Sequence, residues 1–263
     1  NNDLNFAEKL SYLGDIFVND AFSVSHRAHA SVVGITKFLP SFAGFSLIKE
    51  VKELSKLFSP KKPFVVVFGG VKVGDKIGVI KNLIGKVNYI LVGGAMVFTF
   101  LKAMNLEVGR SIVEDDKLGV AKEILDLGKD KLVFPLDIVV AKDVSSKPEI
   151  VPFTKIPKDM VGFDIGSDAC FNFSQIVANA KTVFWNGPMG LFEKKPFDKG
   201  TVSIVKAMAK CLGFTVAGGG ETVSAVRNLN LENKFSFIST GGGASLDFLS
   251  GKKLPGIEAL DSI

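Results

Sequence analysis

Three consecutive glycines between an apolar run and an amphipathic segment constrain this chain more than any other feature. Residues 237–249 read FISTGGGASLDFL, and this order predicts a strand, a tight turn and the N-terminus of a helix. Such a turn leaves backbone N–H groups unpaired at the positive end of the helix dipole, where they can hold an anion such as phosphate. A plain loop is the alternative for a single turn of this kind.

The same design recurs along the chain. Apolar runs end in glycine-containing turns at four other places, after residues 64–68, 89–92, 182–185 and 214–217. Most of these turns are followed by a helical pattern. The alternation predicts an α/β fold with a parallel sheet, in which ligands bind at the carboxyl ends of the strands. We therefore expect the functional residues to lie at those turns.

The composition agrees with a buried parallel sheet. Of the 263 residues 47% are hydrophobic, and the mean hydropathy is +0.31, as expected when both faces of a sheet are covered. The net charge of +5 comes without a dense basic run, which favours small anionic substrates over nucleic acid. Residues 87–101 form the longest nearly uncharged stretch and are too few to span a bilayer. Cys170 and Cys211 predict two reduced thiols in a cytoplasmic protein.

Two lysines follow the turn after residues 64–68. Lys72 and Lys76 are four residues apart, so on a helix they would project from one face just beyond the strand end. Two ammonium groups placed there would suit a polyphosphate, and a solvated pair of lysines is the alternative. Farther along, Glu221 opens the helical pattern after the glycines at 218–220. It either satisfies the helix dipole or holds Mg²⁺ beside a polyphosphate.

Several well-known nucleotide signatures are missing from the sequence. There is no Walker-type phosphate loop, no dinucleotide-binding glycine fingerprint and no protein-kinase signature. The pattern that remains predicts a magnesium–nucleotide site built from several backbone turns, two lysines and one or two carboxylates.

Other segments receive simpler assignments. Arg27 lies between the two histidines, His26 and His29, and is a candidate ligand for a phosphate or carboxylate. Capping of a turn is the commoner role of such a cluster. The remaining patterns predict a helix over residues 4–13, a strand over 15–18, a long amphipathic connector helix over 40–58, a helix over 115–127 capped by Glu114 or Asp115, a surface excursion over 141–160 and a turn over 162–168.

Six motifs, in this order, resemble the phosphoglycerate kinase family. They are VNDAF with HRAHAS within residues 18–31, GGVKV with DKI within 69–77, GGAM at 93–96, NGPMGLFE at 186–193, GGGET at 218–222 and STGGGAS at 239–245. The chain ends with LPGIEAL at 254–260, as the family does. The resemblance runs through the whole chain and matches the C-terminal part of a family member.

The resemblance implies reversible phosphoryl transfer between ATP and 3-phosphoglycerate in glycolysis, with Mg²⁺, by a monomer that binds neither nucleic acid nor membranes. It also implies two α/β domains that close on each other by a hinge and exclude water. We therefore expect a Rossmann-like three-layer nucleotide domain over residues 59–248 and a remnant of the phosphoglycerate-binding domain over 1–38. An interdomain helix over 39–58 and a C-terminal segment over 249–263 that returns to the N-terminal domain complete this division.

The resemblance further assigns a role to individual residues. Arg27 would hold the phosphate of phosphoglycerate. The catalytic set would be Lys72, Lys76, Gly242 and Gly243. The two lysines would bind the phosphates, and the N–H groups of residues 241–243 would bind the phosphoryl group during its transfer. The nucleotide-binding set would be Gly70, Lys76, Gly94, Gly162, Asn186, Pro188, Leu191, Glu193, Gly218, Gly219, Gly220, Glu221 and Thr222, with Glu193 near the ribose and Glu221 carrying Mg²⁺.

Three departures from the family pattern modify these expectations. Glu221 stands where the family commonly has aspartate, so its carboxylate reaches one methylene further, and Val71 replaces a usual alanine. The N-terminal part of the family, with most of its basic patch, is missing. The chain alone is therefore expected to keep a nucleotide site and lose most or all turnover, with residues 1–36 and 249–263 poorly ordered. A nucleotide-binding module without catalysis is the second interpretation. A purely structural α/β protein is the third, and the charges of Lys72, Lys76 and Glu221 argue against it.

Overall fold

The structure, a computed structural model, describes residues 2–261. Its strands are β1 (Phe17–Asn19), β2 (Ser41–Ala43), β3 (Phe64–Phe68), β4 (Tyr89–Val92), β5 (Leu132–Val133), β6 (Asp137–Ala141), β7 (Glu149–Pro152), β8 (Val161–Ile165), β9 (Thr182–Asn186), β10 (Phe214–Gly218) and β11 (Phe237–Ser239). Its α-helices are α1 (Leu4–Ser11), α2 (Phe45–Ser55), α3 (Ile77–Leu83), α4 (Met96–Ala103), α5 (Leu118–Leu127), α6 (Ser167–Ala178), α7 (Lys199–Lys210), α8 (Gly220–Asn228), α9 (Gly243–Leu249) and α10 (Pro255–Glu258). Short 3-10 turns cover Phe22–Val24, Gly34–Lys37, Lys56–Phe58, Asp115–Lys117 and Glu232–Lys234.

A six-stranded parallel sheet forms the centre of the fold. Its strand order is β11-β10-β9-β3-β4-β5, and every pairing in it is parallel. The five apolar runs that end in glycine turns form β3, β4, β9, β10 and β11. The prediction of a parallel α/β sheet is therefore confirmed.

Helices cover both faces of this sheet. Alternate residues of β3 point to opposite sides: Val66 and Phe68 pack into one core with α2, α3, α4, α5 and α9, whereas Val65 and Val67 pack into a second core with α6, α7 and α8. A strand with both faces buried must be apolar at consecutive positions, and this accounts for the run FVVVF. The expected three-layer architecture is confirmed.

A second sheet, not predicted from the sequence, lies beside the first. Its order is β7-β6-β8, and both pairings are antiparallel, with an irregularity between Val139 and Val140. The predicted surface excursion over 141–160 thus contains β7, and the predicted turn over 162–168 is mostly strand β8 followed by the start of α6. The sequence hid these strands because β7 is almost wholly exposed and β8 contains a glycine, so neither shows the apolar run of a buried strand.

The long connector helix predicted over residues 40–58 is wrong in its first turns. Residues 41–43 form β2, which pairs in parallel with β1, and α2 begins at Phe45. The cause is Asp20, which follows β1: its Oδ1 accepts hydrogen bonds from the N–H groups of Ser46 and Leu47 at 2.6 and 3.0 Å. This remote cap fixes the start of the helix. Helix α1 and β1 also differ by one or two residues from the predicted ranges.

The C-terminal residues pack against the N-terminal ones. The Gly256 N–H donates to the Ser25 carbonyl at 2.8 Å, and Asn19 Nδ2 donates to the Gly256 carbonyl at 3.0 Å. Asp261 and Ser41 are likewise joined by two hydrogen bonds. These hydrogen bonds join residues 256–261 to residues 19–41, while Asn1 and residues 262–263 lie outside the described residues. The return of the C-terminal segment to an N-terminal domain remains a prediction. The division at 38, 58 and 248 remains a prediction.

The small sheet of β1 and β2 carries an uncovered apolar surface. Val18 and Phe42 are paired across the two strands, and both are exposed, as are Leu13, Ile16 and Phe45. Parallel strands are ordinarily covered on both faces, so this surface is unusual for its class. Within residues 2–261, no helix combines the length and the apolar character needed to cross a membrane.

Candidate functional site

The central strands of the large sheet end at one level. Phe68 at the end of β3 is paired with Asn186 at the end of β9, and Asn186 is paired with Gly218 at the end of β10. Gly218 is in turn paired with Ser239 at the end of β11. The turns that follow these strands therefore meet at the carboxyl edge, where the fold class places its ligands.

Backbone hydrogen bonds lock three of these turns together. The Gly70 N–H donates to the Pro188 carbonyl at 2.8 Å, and the Gly94 N–H donates to the Met189 carbonyl at 2.9 Å. Gly94 has φ of +65°, and a Cβ there would lie 2.6 Å from the Gly70 carbonyl oxygen and 2.8 Å from that of Pro188. Glycine is thus required at this position by both conformation and space.

An apolar cavity of about 270 Å³ opens beside the interlocked turns. Seven of the predicted nucleotide-binding residues line it, namely Gly70, Gly94, Gly162, Pro188, Leu191, Glu193 and Glu221. The sequence did not reveal several other lining residues, among them Phe98, Ile112, Ile138, Phe163 and Asp164. Three of these belong to the antiparallel sheet, so they could not be placed at the cavity until that sheet was known.

A polar cleft of about 350 Å³ continues from the cavity. The two share Gly70, Val71 and Glu221. The predicted residues that line the cleft are Gly70, Lys72, Lys76, Asn186, Gly219, Gly220, Glu221 and Thr222, and Asp75 joins them. Gly218 contributes its carbonyl, which accepts a hydrogen bond from Asn186 Nδ2 at 2.9 Å. The structure therefore brings an apolar cavity and a charged cleft into one continuous site.

Lys76 is the buried cation of the cleft. Its side chain is 8% exposed, and its Nζ donates a hydrogen bond to Asn186 Oδ1. Burial lowers the pKa of Lys76 to about 8, and the charges of Asp75 and Glu221 oppose that shift. The prediction that Lys72 and Lys76 share one helix face is wrong, because α3 begins at Ile77 and Lys72 lies in the preceding turn. Both lysines nevertheless reach the cleft.

Thr222 supports the turn after β9. Its buried Oγ1 accepts a hydrogen bond from the Gly187 N–H at 2.7 Å, and Gly187 has φ of +98°. The hydroxyl therefore fixes, from the first turn of α8, a backbone conformation that favours glycine.

Glu221 is a carboxylate of the cleft that could bind a cation. It is exposed and takes part in no ion pair within residues 2–261. Groups of three or more histidine, cysteine, aspartate or glutamate side chains suited to a metal are absent from the part of the chain that the structure describes. Mg²⁺ ordinarily takes one or two protein carboxylates and completes its shell with substrate phosphates and water. Glu221, with Asp75 in the same cleft, fits that requirement.

Arg27, Gly242 and Gly243 line neither the cavity nor the cleft. The segment that contains Arg27 approaches the triple-glycine turn: a Cβ on Gly243 would be 3.5 Å from Nε2 of His26, the residue before Arg27. Arg27 itself is exposed, and His26 Nδ1 is buried without a hydrogen-bond partner among the described residues. The expected strand–turn–helix around Gly242 is confirmed by β11 and α9.

Glu50 was not predicted to take part in the site. Its buried carboxylate on α2 accepts hydrogen bonds from Ser239 Oγ at 2.8 Å, from the Thr240 N–H at 2.7 Å and from Thr240 Oγ1 at 3.0 Å. It thus fixes the start of the triple-glycine turn. The sequence did carry a signal, because Glu50 lies three residues after Leu47 and four before Leu54, on the apolar face of the helix.

Asp164 is a second buried carboxyl group that the sequence did not reveal. Burial raises the pKa of Asp164 to about 7, against the effect of hydrogen bonds from the N–H groups of Gly200 and Ile165. Asp198 adds to the increase and Lys199 opposes it. Asp164 Oδ2 accepts the Gly200 N–H at 2.8 Å, so this carboxyl group joins the wall of the cavity to the start of α7.

Comparison with known proteins agrees with this architecture. The family described as Phosphoglycerate kinase matches residues 1–252. The chain is 50% identical over 263 residues to a phosphoglycerate kinase of Coprothermobacter proteolyticus, and 49% identical over 270 residues to "Phosphoglycerate kinase, cytosolic" of Triticum aestivum. These alignments cover 98% and 99% of this chain and 67% of each relative. A solved phosphoglycerate kinase from Coxiella burnetii superposes with a TM-score of 0.90 at 37% identity, covering 98% of this chain and 68% of that protein.

Proposed function

This chain belongs to the phosphoglycerate kinase family, and from that premise we propose that its cavity and cleft bind ATP or ADP for phosphoryl transfer to and from 3-phosphoglycerate. The observation that carries the proposal is the continuity of the two spaces: an apolar cavity leads directly into a cleft that holds Lys72, Lys76 and Glu221. A nucleotide has the same division into a flat apolar base and a charged tail.

The nucleoside occupies the apolar cavity in this proposal. Phe98 and Ile112 offer apolar surface to the base, and the rim residue Glu193 accepts hydrogen bonds from the ribose hydroxyls. Gly70 and Gly94 leave room for the sugar because neither carries a side chain. The remaining glycines with Pro188 and Leu191 shape the walls, and the interlocked turns keep that shape before the ligand arrives.

The phosphates extend into the polar cleft. Lys76, whose ammonium group is hydrogen-bonded to Asn186, neutralises the charge of the inner phosphates. The exposed Lys72 stays in contact with the phosphoryl group during its transfer. The N–H groups at Gly219 and Gly220 add partial positive charge at the start of α8. Phosphoryl transfer depends on positioning and charge neutralisation more than on proton transfer, and a cleft with two cations suits that chemistry.

A divalent cation completes the neutralisation in this proposal. When bound, Mg²⁺ would supply positive charge that offsets the charge of the phosphates. Glu221 would hold it, with Asp75 as the second carboxylate available in the cleft. Thr222 supports the neighbouring turn and keeps α8 in place beside the phosphates.

The acceptor lies at the triple-glycine turn. Arg27 binds the phosphate of 3-phosphoglycerate, and Gly242 and Gly243 present N–H groups to the transferring phosphoryl group. The proximity of His26 to Gly243 supports the assignment of the Arg27 segment to this turn. Movement of the Arg27 segment and the lysine cleft towards each other would exclude water during transfer.

The isolated chain should bind nucleotide but transfer phosphoryl groups slowly or not at all. It spans about two thirds of the length of the relatives that it matches, and Arg27 is a single cation for an acceptor that carries both a phosphate and a carboxylate. The exposed apolar surface of β1 and β2 also suits packing against further polypeptide.

We propose that the protein acts as a cytoplasmic monomer on small molecules, like the relative named cytosolic, without nucleic acid or membrane.

Calorimetric titration with MgADP, together with a coupled turnover assay, tests this proposal. Wild-type chain should bind MgADP, Lys76→Ala should bind it at least about tenfold more weakly, and Lys81→Ala, on the exposed face of α3, should bind as wild type does. Absence of MgADP binding would refute the nucleotide site. Full turnover with 3-phosphoglycerate and ATP would refute the account of the acceptor site and of the isolated chain.

A further inference from the structure

One glutamate that lines neither the cavity nor the cleft contacts the turn that carries both lysines. Residues 71–76 are called the lysine turn here, and residues 111–117 the bridging segment. In the bridging segment Glu114 accepts, through Oε2, a hydrogen bond from the Val73 N–H of the lysine turn at 2.5 Å. Val73 has a fully buried side chain and stands between Lys72 and Lys76. A carboxylate thus holds the middle of the turn.

We propose that Glu114 is a positioning residue for Lys72 and Lys76, and that its carboxylate keeps the lysine turn in the geometry that nucleotide phosphates require. The proposal rests on the proposed function of the polar cleft. The connection is continuous: the Lys76 N–H donates to the Val73 carbonyl at 3.0 Å, and Lys76 Nζ donates to Asn186 Oδ1. Loss of the Glu114 contact would free the Val73 peptide and, with it, both ends of the turn.

Glu114 is itself held in place from behind. Its N–H donates a hydrogen bond to the buried Oγ1 of Thr99 at 3.1 Å. Thr99 belongs to α4, which begins beside the cavity, so this helix fixes the position from which the Glu114 carboxylate reaches Val73. Glu114 does not cap the following turn, which has no side-chain cap. The Glu114 carboxylate therefore accepts the Val73 N–H and none of the N–H groups of the turn that follows it, contrary to its predicted role as a helix cap.

The bridging segment also touches the nucleoside cavity. Ser111 Oγ accepts a hydrogen bond from the Gly162 N–H at 2.9 Å, and Ile112 lines the cavity. At the other end, the Lys117 side chain lies against Gly74 of the lysine turn, where a Cβ would come within 3.2 Å of Lys117 Cε. One short segment supports both parts of the site, but Glu114 supports the phosphate part alone. Its removal should therefore weaken phosphate binding without weakening nucleoside binding.

The test compares MgADP with adenosine on the 263-residue chain. Glu114→Ala should weaken MgADP binding about tenfold and leave adenosine binding within about twofold, whereas Glu114→Gln, which keeps an acceptor oxygen, should stay within about threefold of wild type for both. Glu107→Ala is the matched control, because Glu107 Oε1 also accepts backbone N–H groups, but those of Val108 and Gly109, which belong neither to the lysine turn nor to the bridging segment. It should bind both ligands as wild type does.

Three results would overturn the proposal. An unchanged ratio of MgADP to adenosine affinity in Glu114→Ala would show that the carboxylate does not act on the phosphates. An equal loss of both ligands would indicate general damage to the site. A Glu114→Gln variant as weak as Glu114→Ala would show that hydrogen bonding to Val73 is not what matters.

A second measurement needs no nucleotide. Amide hydrogen exchange at Val73 should be at least about tenfold faster in Glu114→Ala than in wild type, and close to wild type in Glu114→Gln. Unchanged protection of the Val73 amide in Glu114→Ala would overturn the proposal even if MgADP binding changed. Failure of the wild-type chain to bind MgADP would count against the proposed function, while the exchange experiment would still decide the role of Glu114.

Discussion

Replacement of Lys76 by methionine should remove a pH dependence that the buried ammonium group creates. The pKa of Lys76 is lowered from 10.5 to about 8 by burial, against the opposing charges of Asp75 and Glu221. Because the folded pKa lies below the unfolded one, the unfolded chain binds more protons between these pH values, and the free energy of unfolding rises with pH there. At neutral pH, keeping this lysine charged costs the folded state roughly 3 kcal/mol.

The size of the effect follows from the two pKa values. Between pH 7 and 9.5, wild type should gain about 2 kcal/mol of unfolding free energy relative to Lys76→Met. Urea unfolding of both proteins at several pH values measures this difference, and titration of the remaining groups cancels in the comparison. Lys81→Met is the control, because Lys81 is half exposed and paired with Glu123 at the surface. It should show no such pH-dependent difference from wild type.

The same lysine should take up protons when the cleft fills. Near pH 8 about half of the Lys76 side chains are neutral in the empty site, and phosphate oxygens beside the ammonium would restore the charge. MgADP binding should therefore be accompanied by uptake of about half a proton, measured by calorimetry in buffers with different ionisation enthalpies. Parallel stability curves for wild type and Lys76→Met, with no proton uptake, would refute both the burial argument and the placement of phosphates at Lys76.

Three carboxyl groups give further measurable outcomes. Glu50→Ala should lower the free energy of unfolding by about 2–3 kcal/mol because buried donors at the triple-glycine turn lose their acceptor. Glu53 is partly exposed, and Glu53→Ala should lower the free energy of unfolding by only about 0.5 kcal/mol. Equal losses for the two variants in urea titrations would contradict this. The pKa of Asp164 is raised from 3.8 to about 7 in the folded chain, so the stability that its bound proton contributes is lost as the pH rises through 7. The free energy of unfolding of Asp164→Asn should therefore increase by roughly 2–3 kcal/mol relative to that of wild type between pH 5 and 8. Parallel curves of unfolding free energy against pH would contradict the shift. Glu221→Gln should lower the Mg²⁺-dependent increase in ADP affinity about tenfold, and an unchanged dependence on Mg²⁺ would remove Glu221 from the metal site.

The central sheet was predictable because its signals are local. In β3 five consecutive apolar residues are bounded by Pro63 and Gly69, and this combination specifies a buried parallel strand and its end without reference to the rest of the chain. The glycine turns then mark the carboxyl edge. For the same reason most of the candidate nucleotide residues, such as Asn186 and Thr222, could be placed at one edge before the structure was known.

The parts that the sequence did not reveal depend on distant partners. Residues 41–43 look like the start of a helix until β1 pairs with them and Asp20 caps α2 three residues later. The Lys72–Lys76 spacing fits a helix, but these residues form a turn whose Val73 N–H is hydrogen-bonded to the carboxylate of Glu114. Strands β7 and β8 lack apolar runs because β7 is mostly exposed and β8 lines the cavity. Each case is a tertiary contact that overrides a local pattern.

A physical reason explains why these contacts come from so far along the chain. Glycine lets a turn approach a phosphate, but it also gives that turn many other conformations, so a site built on glycine turns needs acceptors that remove this freedom. Thr222 does so for the turn after β9, Glu50 for the turn after β11 and Glu114 for the lysine turn. A supporting acceptor within the turn would occupy the space of the ligand. It must therefore come from a neighbouring element, which is why motifs locate the phosphate-binding backbone and only the fold shows what holds it.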